Sequence, residues 1–320
     1  MISDSNPFLL GTIFPFTRAW WDGLEVGDRL IAVDGTEISG LTVEEVRDLL
    51  PQTEAATTTL TLLRNGNQVQ IQTASETHIS RSLGSSNQIA YLNLREYTTA
   101  SADRVRDDYT SLVSAGSGGS GGVILDLRQN GGGSLSGAWN LTDFLGPSSV
   151  DNQIMFSLQQ QSQGFDYRFG VYGSNLGITD PSKFVILIDG SSASASEVTS
   201  VSLKDLGIAT LMGGITYGKG VGQNVVGLID GSGVYITSFE LLSPLGNSWH
   251  NLGVSPDYPF STALPTTPTD DTLLQAAIDF IETGSVSQPT TSRRTTKSPL
   301  LLSVPPYSHP WDGGSREDLQ

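Results

Sequence analysis

Phe184-Val185-Ile186-Leu187-Ile188-Asp189-Gly190-Ser191-Ser192-Ala193-Ser194-Ala195-Ser196-Glu197 reads as a strand, a turn of small residues and the opening of a helix. The five leading residues are all apolar, so this strand has no face for water. It must be covered on both sides, as strands of a parallel sheet are. From Ala193 to Leu206 the pattern continues as a helix. A serine hydroxyl emerging at that helix N-terminus would meet free N–H groups and the positive end of the helix dipole, which favour a developing oxyanion. Serines before a helix are equally ordinary N-caps, and the cluster alone does not separate the two roles.

Outward from this segment the same grammar repeats. Ile89-Ala90-Tyr91-Leu92-Asn93-Leu94 reads as a strand. Ser101 to Ser114 is a helix with Val105, Tyr109 and Leu112 inward, and Val123-Ile124-Leu125-Asp126-Leu127 is a buried strand. Gly116 to Gly122 is a flexible connection, and Thr272 to Glu282 is a last amphipathic helix. The β, α, β, α order predicts an α/β domain with a mostly parallel sheet.

Upstream, turns alternate with β-branched runs at Thr12-Ile13-Phe14, Arg29-Leu30-Ile31-Ala32-Val33, Thr57 to Leu63 and Gln68 to Gln72. Asp34-Gly35 and Asn65-Gly66 are hairpin-type turns. Leu41 to Leu50 is a helix capped by Thr42, with Glu45 at the capping-box position, and Ala19 to Gly27 offers a second, short one. The expected unit is a small β-barrel with two helices. The boundaries predicted are 1–80 for this unit, 81–284 for the α/β core, and 285–320 for a disordered tail, where Thr290 to Lys297 and Val304-Pro305-Pro306 show no sustained period.

Composition narrows the chemistry. A chain of 320 residues with 37% hydrophobic content supports a sizeable core. Seventeen basic against 33 acidic side chains, a net charge of −16, repels polyphosphate, so nucleic acid is not an expected partner. With no cysteine and three scattered histidines (His78, His250, His309), neither a disulfide frame, a thiolate nucleophile nor a structural zinc site is expected. No cofactor is implied. The apolar run Pro7 to Phe16 is too short to cross a bilayer, and the start lacks the basic region of a secretory signal.

Two further segments could carry chemistry. In Asp126-Leu127-Arg128-Gln129-Asn130-Gly131-Gly132-Gly133 three consecutive glycines free the backbone to aim N–H groups at a ligand, or simply form a flexible loop. In Ile215-Thr216-Tyr217-Gly218-Lys219-Gly220-Val221-Gly222-Gln223 one lysine is hemmed by glycines and apolar residues. An exposed lysine titrates near about 10.4 and is a poor base at neutral pH. A buried one can lose its proton and then accept that of a serine.

The string Trp21-Asp22-Gly23-Leu24-Glu25-Val26-Gly27-Asp28-Arg29-Leu30-Ile31-Ala32-Val33-Asp34-Gly35 resembles the "A-G-L-x-x-G-D-x-I-x-x-V-D-G" core of bacterial PDZ domains. These bind peptide ends by strand addition. The first strand and carboxylate-binding loop of such a domain should precede Ile13, where about a dozen residues stand, so they are expected to be incomplete, with Leu9-Leu10-Gly11 as a remnant of the loop. The three chemical segments, in order, resemble the "L-D-L-R-x-N-P-G-G", "S-A-S-A-S-E" and "T-F-G-K-G-x-x-Q" patterns of the carboxy-terminal processing peptidases, or tail-specific proteases, with Gly131 in place of the proline and Tyr217 in place of the phenylalanine.

The resemblance implies a ClpP/crotonase-like serine peptidase core in which Ser194 is the nucleophile. Lys219, 25 residues later, is its general base, and Gln223 orients the lysine. Four residues of straight strand span about 13 Å, so Gln223 reaches Lys219 only if Gly220 and Gly222 let the chain bend. It also implies an oxyanion hole of Ala195 with Gly132, or with Gly133 as the neighbouring choice. Arg128 and Glu197 brace loops, and Asp205 is structural. Substrates would be proteins or peptides, cleaved through an acyl-enzyme. An activating or adaptor protein, oligomerisation and membrane association of a full-length form are compatible with it, and the implied location is extracytoplasmic, periplasmic or secreted. The alternative is a catalytically dormant peptide-binding scaffold with the same fold.

Overall fold

The computed structural model describes residues 2–3, 6–51, 56–74, 78–114, 121–160, 165–170, 180–261 and 263–286. Most of the glycine connection after Ser114 and the tail from residue 287 lie outside them.

The first elements are antiparallel: strands β1 (Ile2–Ser3), β2 (Asn6–Leu10), β3 (Arg29–Val33), β4 (Thr36–Glu37), β5 (Thr57–Arg64) and β6 (Asn67–Ala74), with helices α1 (Arg18–Trp21) and α2 (Val43–Leu49). They pair in the order β1-β2-β3-β5-β6, with β4 beside β3. Both predicted hairpin turns form, with positive φ at Asp34, Gly35, Asn65 and Gly66, the backbone that matches strand twist. Thr42 and Glu45 close a reciprocal capping box on α2. The strand expected at Thr12-Ile13-Phe14 lies earlier, at Asn6–Leu10. Pro15 has no N–H to give a ladder, Phe16 takes a left-handed φ of 64°, and Thr17 already caps α1.

Asp28, almost fully buried, ties this sheet together. Burial pushes its carboxyl pKa up, but hydrogen bonds from Arg64 and from the Glu25 N–H, with the Arg64 charge, outweigh that and hold it below the usual range. A depressed folded pKa adds stability that is fully present above the unfolded value, about 3.9, and is lost as pH falls through the folded one. Acid melts should therefore show a shallower stability loss below about pH 4 for Asp28→Asn than for wild type; equal slopes would remove Asp28 from the acid transition.

The second layer set is the α/β core. Strands β7 (His78–Leu83), β8 (Ile89–Leu94), β9 (Gly122–Asp126), β12 (Phe184–Ile188), β13 (Thr210–Gly213) and β16 (Tyr258–Pro259) lie in the order β7-β8-β9-β12-β13-β16. All pairs are parallel except β7 with β8. The continuous apolar runs divide by parity. Leu92, Leu125, Phe184, Ile186 and Ile188 pack under α3 (Thr99–Ser114), α4 (Leu135–Leu145) and α5 (Ala195–Asp205), whereas Tyr91, Ile124, Val185 and Leu187 pack against α6 (Thr272–Thr283). Covered on both faces, the central strands are apolar along almost their whole length, with the buried Asn93 and Asp126 near their carboxyl ends, which is why they were readable. A smaller antiparallel sheet, ordered β11-β10-β15-β14, joins β10 (Ile154–Gln160), β11 (Phe165–Gly170), β14 (Val221–Gly227) and β15 (Gly233–Leu242).

The antiparallel unit docks on the core through aromatic rings. Phe16, fully buried, lies 4.0 Å from the Arg128 guanidinium carbon and edge-on to Trp20. Trp20 Nε1 donates to the Thr266 carbonyl, and Trp21 packs edge-on to Tyr91 of β8. Asp22 receives both Arg18 and Arg81.

Candidate active site

The two small-residue turns leave the carboxyl ends of neighbouring parallel strands, β9 and β12, paired through Asp126 and Leu187. That is where sites assemble in open α/β sheets. Side chains then lock one turn to the other. Asp189 accepts from the backbone of Gln129, Ser191 and Ser192, and Ser192 Oγ donates to the Leu127 carbonyl. Asn130, fully buried, holds the Leu94 carbonyl through Nδ2, and its own carbonyl receives Ala193 N–H and Ser196 Oγ. Below them Arg128 makes paired hydrogen bonds with Asp126 and Asp271.

Ser194 stands between β12 and α5 with φ 54° and ψ −114°. A β-carbon in this region is strained, at a cost of about 1–3 kcal/mol, and the surrounding hydrogen bonds hold it there. The residue is half-buried, and its N–H donates to the Glu197 carboxylate. Against it lies the glycine loop. A β-carbon on Gly132 would fall 2.7 Å from Ser194 Cβ and 3.0 Å from Ala195 N, while one on Gly133 would fall 2.0 Å from the Tyr97 carbonyl oxygen. Only glycine lets the loop approach this closely. The Gly132 N–H is taken by Asn130 Oδ1 at 2.9 Å. The N–H groups of Gly133 and Ala195 have no partner among the described residues.

Glu197, fully buried at the first turn of α5, joins the serine and lysine segments. One carboxylate oxygen accepts from Thr216 Oγ1 (2.6 Å) and Gly218 N–H (2.6 Å), and the other from Lys219 N–H (2.7 Å) and Ser194 N–H (2.8 Å). Four donors and a helix N-terminus satisfy a charge that burial would otherwise penalise. The loop bracing expected of Glu197 is thus explicit. Thr216 Oγ1 in turn accepts from Val254 N–H, and Gly218 and Gly220 press on the segment Trp249 to Gly253, with Gly220 leaving no space for a side chain beside His250.

The predicted residues are brought together unequally. Ser194 and Lys219 share Glu197 through their backbones, yet among the described residues neither Ser194 Oγ nor Lys219 Nζ has a hydrogen-bond partner; the lysine is half-buried. Catalytic hydrogen bonds are often open without substrate. Gln223 is exposed on β14, where the pairing with β15 shifts register between Gly222 and Gln223, and among the described residues no hydrogen bond joins it to Lys219. Asp205, at the far end of α5, accepts from Ser243 Oγ, away from the serine. Asn130 and Thr216 were not singled out by the sequence; an Asn in a glycine turn and a Thr before Gly-Lys carry no local mark of such roles. Among the described residues no three His, Asp or Glu gather where they could hold a metal ion.

A strained serine at a helix start thus faces a glycine loop and shares one buried carboxylate with a lysine segment. The model of peptidase family S41 matches residues 88–260, more than half of the chain, and a PDZ-domain model matches residues 15–64. The chain belongs to peptidase family S41. It is 31% identical over 256 residues to the chloroplastic C-terminal processing peptidase of Tetradesmus obliquus, covering 73% of this chain and 53% of that protein. It is 29% identical over 278 residues to the carboxyl-terminal-processing protease of Synechocystis sp., covering 83% and 62%. It thus spans less than two thirds of the length of these curated relatives. Among solved structures, the photosystem II D1 C-terminal processing protease superposes with a TM-score of 0.52 at 27% identity, over 81% of this chain and 69% of that one. No helix among the described residues is long and apolar enough to cross a membrane.

Proposed function

We propose that this chain is a serine endopeptidase working by a Ser194/Lys219 dyad. The observation that carries the reading is the buried Glu197 carboxylate, which grips the backbones of both residues. Lys219, as the free amine, takes the Ser194 proton while Oγ attacks the scissile carbonyl carbon. The tetrahedral oxygen is held by the N–H groups of Ala195 and of the glycine loop. Gly133 N–H is unengaged, and Gly132 N–H would serve by sharing or leaving Asn130. The departing amine takes the proton from Lys219, and water then hydrolyses the acyl-enzyme by the same route reversed. Gln223 orients the lysine.

On this reading residues 1–80 form a PDZ-like barrel that presents C-terminal or unstructured segments by strand addition, and residues 81–284 form a ClpP/crotonase-like core. The substrates are proteins, and the location is extracytoplasmic. A dormant peptide-binding scaffold is the second reading, favoured by the absence, among the described residues, of a hydrogen bond at Ser194 Oγ or Lys219 Nζ.

The test is whether the full chain hydrolyses casein and whether a fluorophosphonate labels it at Ser194, mapped by peptide mass spectrometry. Hydrolysis with labelling at Ser194 is expected; neither, while tailed peptides still bind, would establish the scaffold. Lys219→Arg separates base from mere charge, because a guanidinium stays protonated in proteins. Its casein hydrolysis should drop by at least about 10²-fold, and activity within a few-fold of wild type would remove Lys219 as base.

A further inference from the structure

We propose that Tyr97 is a positioning residue: it sets the separation between the glycine loop and the first turn of α5, and so places the oxyanion donors. The proposal rests on the reading of Ser194 as nucleophile. Tyr97 grips the loop by its backbone and the helix by its side chain. Its N–H donates to the Gly132 carbonyl at 2.9 Å, and its carbonyl accepts Ser134 N–H at 2.6 Å. Its hydroxyl crosses beneath to donate to Thr199 Oγ1 at 2.9 Å. Thr199 lies four residues after Ala195, on the same face of α5 one turn along, and also accepts from Thr142 Oγ1 of α4 at 3.1 Å.

The loop between these grips is one residue thick. Gly133 abuts the Tyr97 carbonyl on one side, and Gly132 abuts Ser194 and Ala195 on the other, each too closely for a β-carbon. A shift of Tyr97 is therefore passed directly to the distance between the Gly133 and Ala195 N–H groups. Tyr97, Thr199 and Thr142 are all buried, so water does not replace a lost bond. Burial, opposed only by the Thr199 hydrogen bond, raises the phenol far above its ordinary pKa. The hydroxyl remains a donor and takes no part in proton transfer.

Tyr97→Phe removes the hydroxyl and keeps the ring and both backbone bonds. In the full chain, kcat on a casein-derived fluorogenic peptide should fall about five- to tenfold, with KM within about twofold. The inhibition constant of a peptide aldehyde, whose hemiacetal with Ser194 carries the tetrahedral oxygen, should rise by the same factor. Thr199→Val should do the same, and the double variant should be no worse than either alone. Active-site titration with the fluorophosphonate keeps these values per folded site. Wild-type kcat in Tyr97→Phe, or a kcat loss with unchanged aldehyde affinity, would overturn the role of Tyr97. A wild-type chain inert to casein and fluorophosphonate alike overturns the peptidase reading itself.

Discussion

Ser194→Ala is expected to lower casein hydrolysis by about 10⁴-fold or more, because no other hydroxyl on α5 can take its place. Ser196 Oγ is committed to the Asn130 carbonyl and Ser200 Oγ to the Ser196 carbonyl. Ser192 Oγ is spent on the Leu127 carbonyl. The substitution removes one side-chain oxygen and keeps the N–H that donates to Glu197, and alanine meets the same backbone strain as serine at φ 54°. The melting temperature should therefore stay within a few degrees. Hydrolysis assays with circular dichroism melts on the same preparation decide it: an active, folded Ser194→Ala chain would show that the peptidase chemistry lies elsewhere.

The second large effect is expected at Glu197. Glu197→Ala leaves the donors of Ser194, Thr216, Gly218 and Lys219 without their acceptor, those of Thr216 and Gly218 fully buried. Each buried unsatisfied donor costs about 1–3 kcal/mol. Partial relaxation should leave a stability loss on the order of 3–5 kcal/mol, read from denaturant midpoints. Activity should fall at least about 10²-fold, because both members of the dyad lose the anchor that sets their separation. Glu197→Gln keeps the shape but turns an amide N–H₂ toward two of the donors, so it should fall between wild type and Glu197→Ala in both measurements. Near-wild-type hydrolysis by Glu197→Ala would mean that the Lys219 segment is held in place without it.

What the sequence disclosed follows from which forces are local. Phe184 to Ile188 and Ile89 to Leu94 matched their strands because both faces are buried and, apart from Asn93, which donates to the Asp126 carbonyl, every residue along them is apolar. Thr42 and Glu45 declared α2 because a capping box is closed within four residues. The smaller antiparallel sheet went unread because β14, Val221–Gly227, is mostly exposed and carries neither alternation nor a continuous apolar run. Thr12 to Phe14 looked like a strand by composition, and Pro15 and the left-handed Phe16 overruled it.

At the site, Ser194 and Lys219 were assigned through the resemblance to the processing peptidases; the small residues beside them follow from the close approach of Gly132, Gly218 and Gly220. Asn130, Thr216 and Tyr97 were not singled out. Their partners are Leu94, Val254 and Thr199, and only the closed fold brings those within reach. The Gly132 N–H turned out to be occupied by a side chain two residues away, a short loop that spacing arguments do not resolve.

The aromatic docking of the antiparallel unit constrains the order of folding. Phe16 lies over Arg128, and Trp20 Nε1 reaches the carbonyl of Thr266. During synthesis these rings leave the ribosome long before either partner exists. The N-terminal sheet can pair early, as N-terminal units generally do, but its aromatic face stays wet until nearly the whole core has been translated. A sheet made before the core is thus sealed only after the segment around Thr266 has followed it.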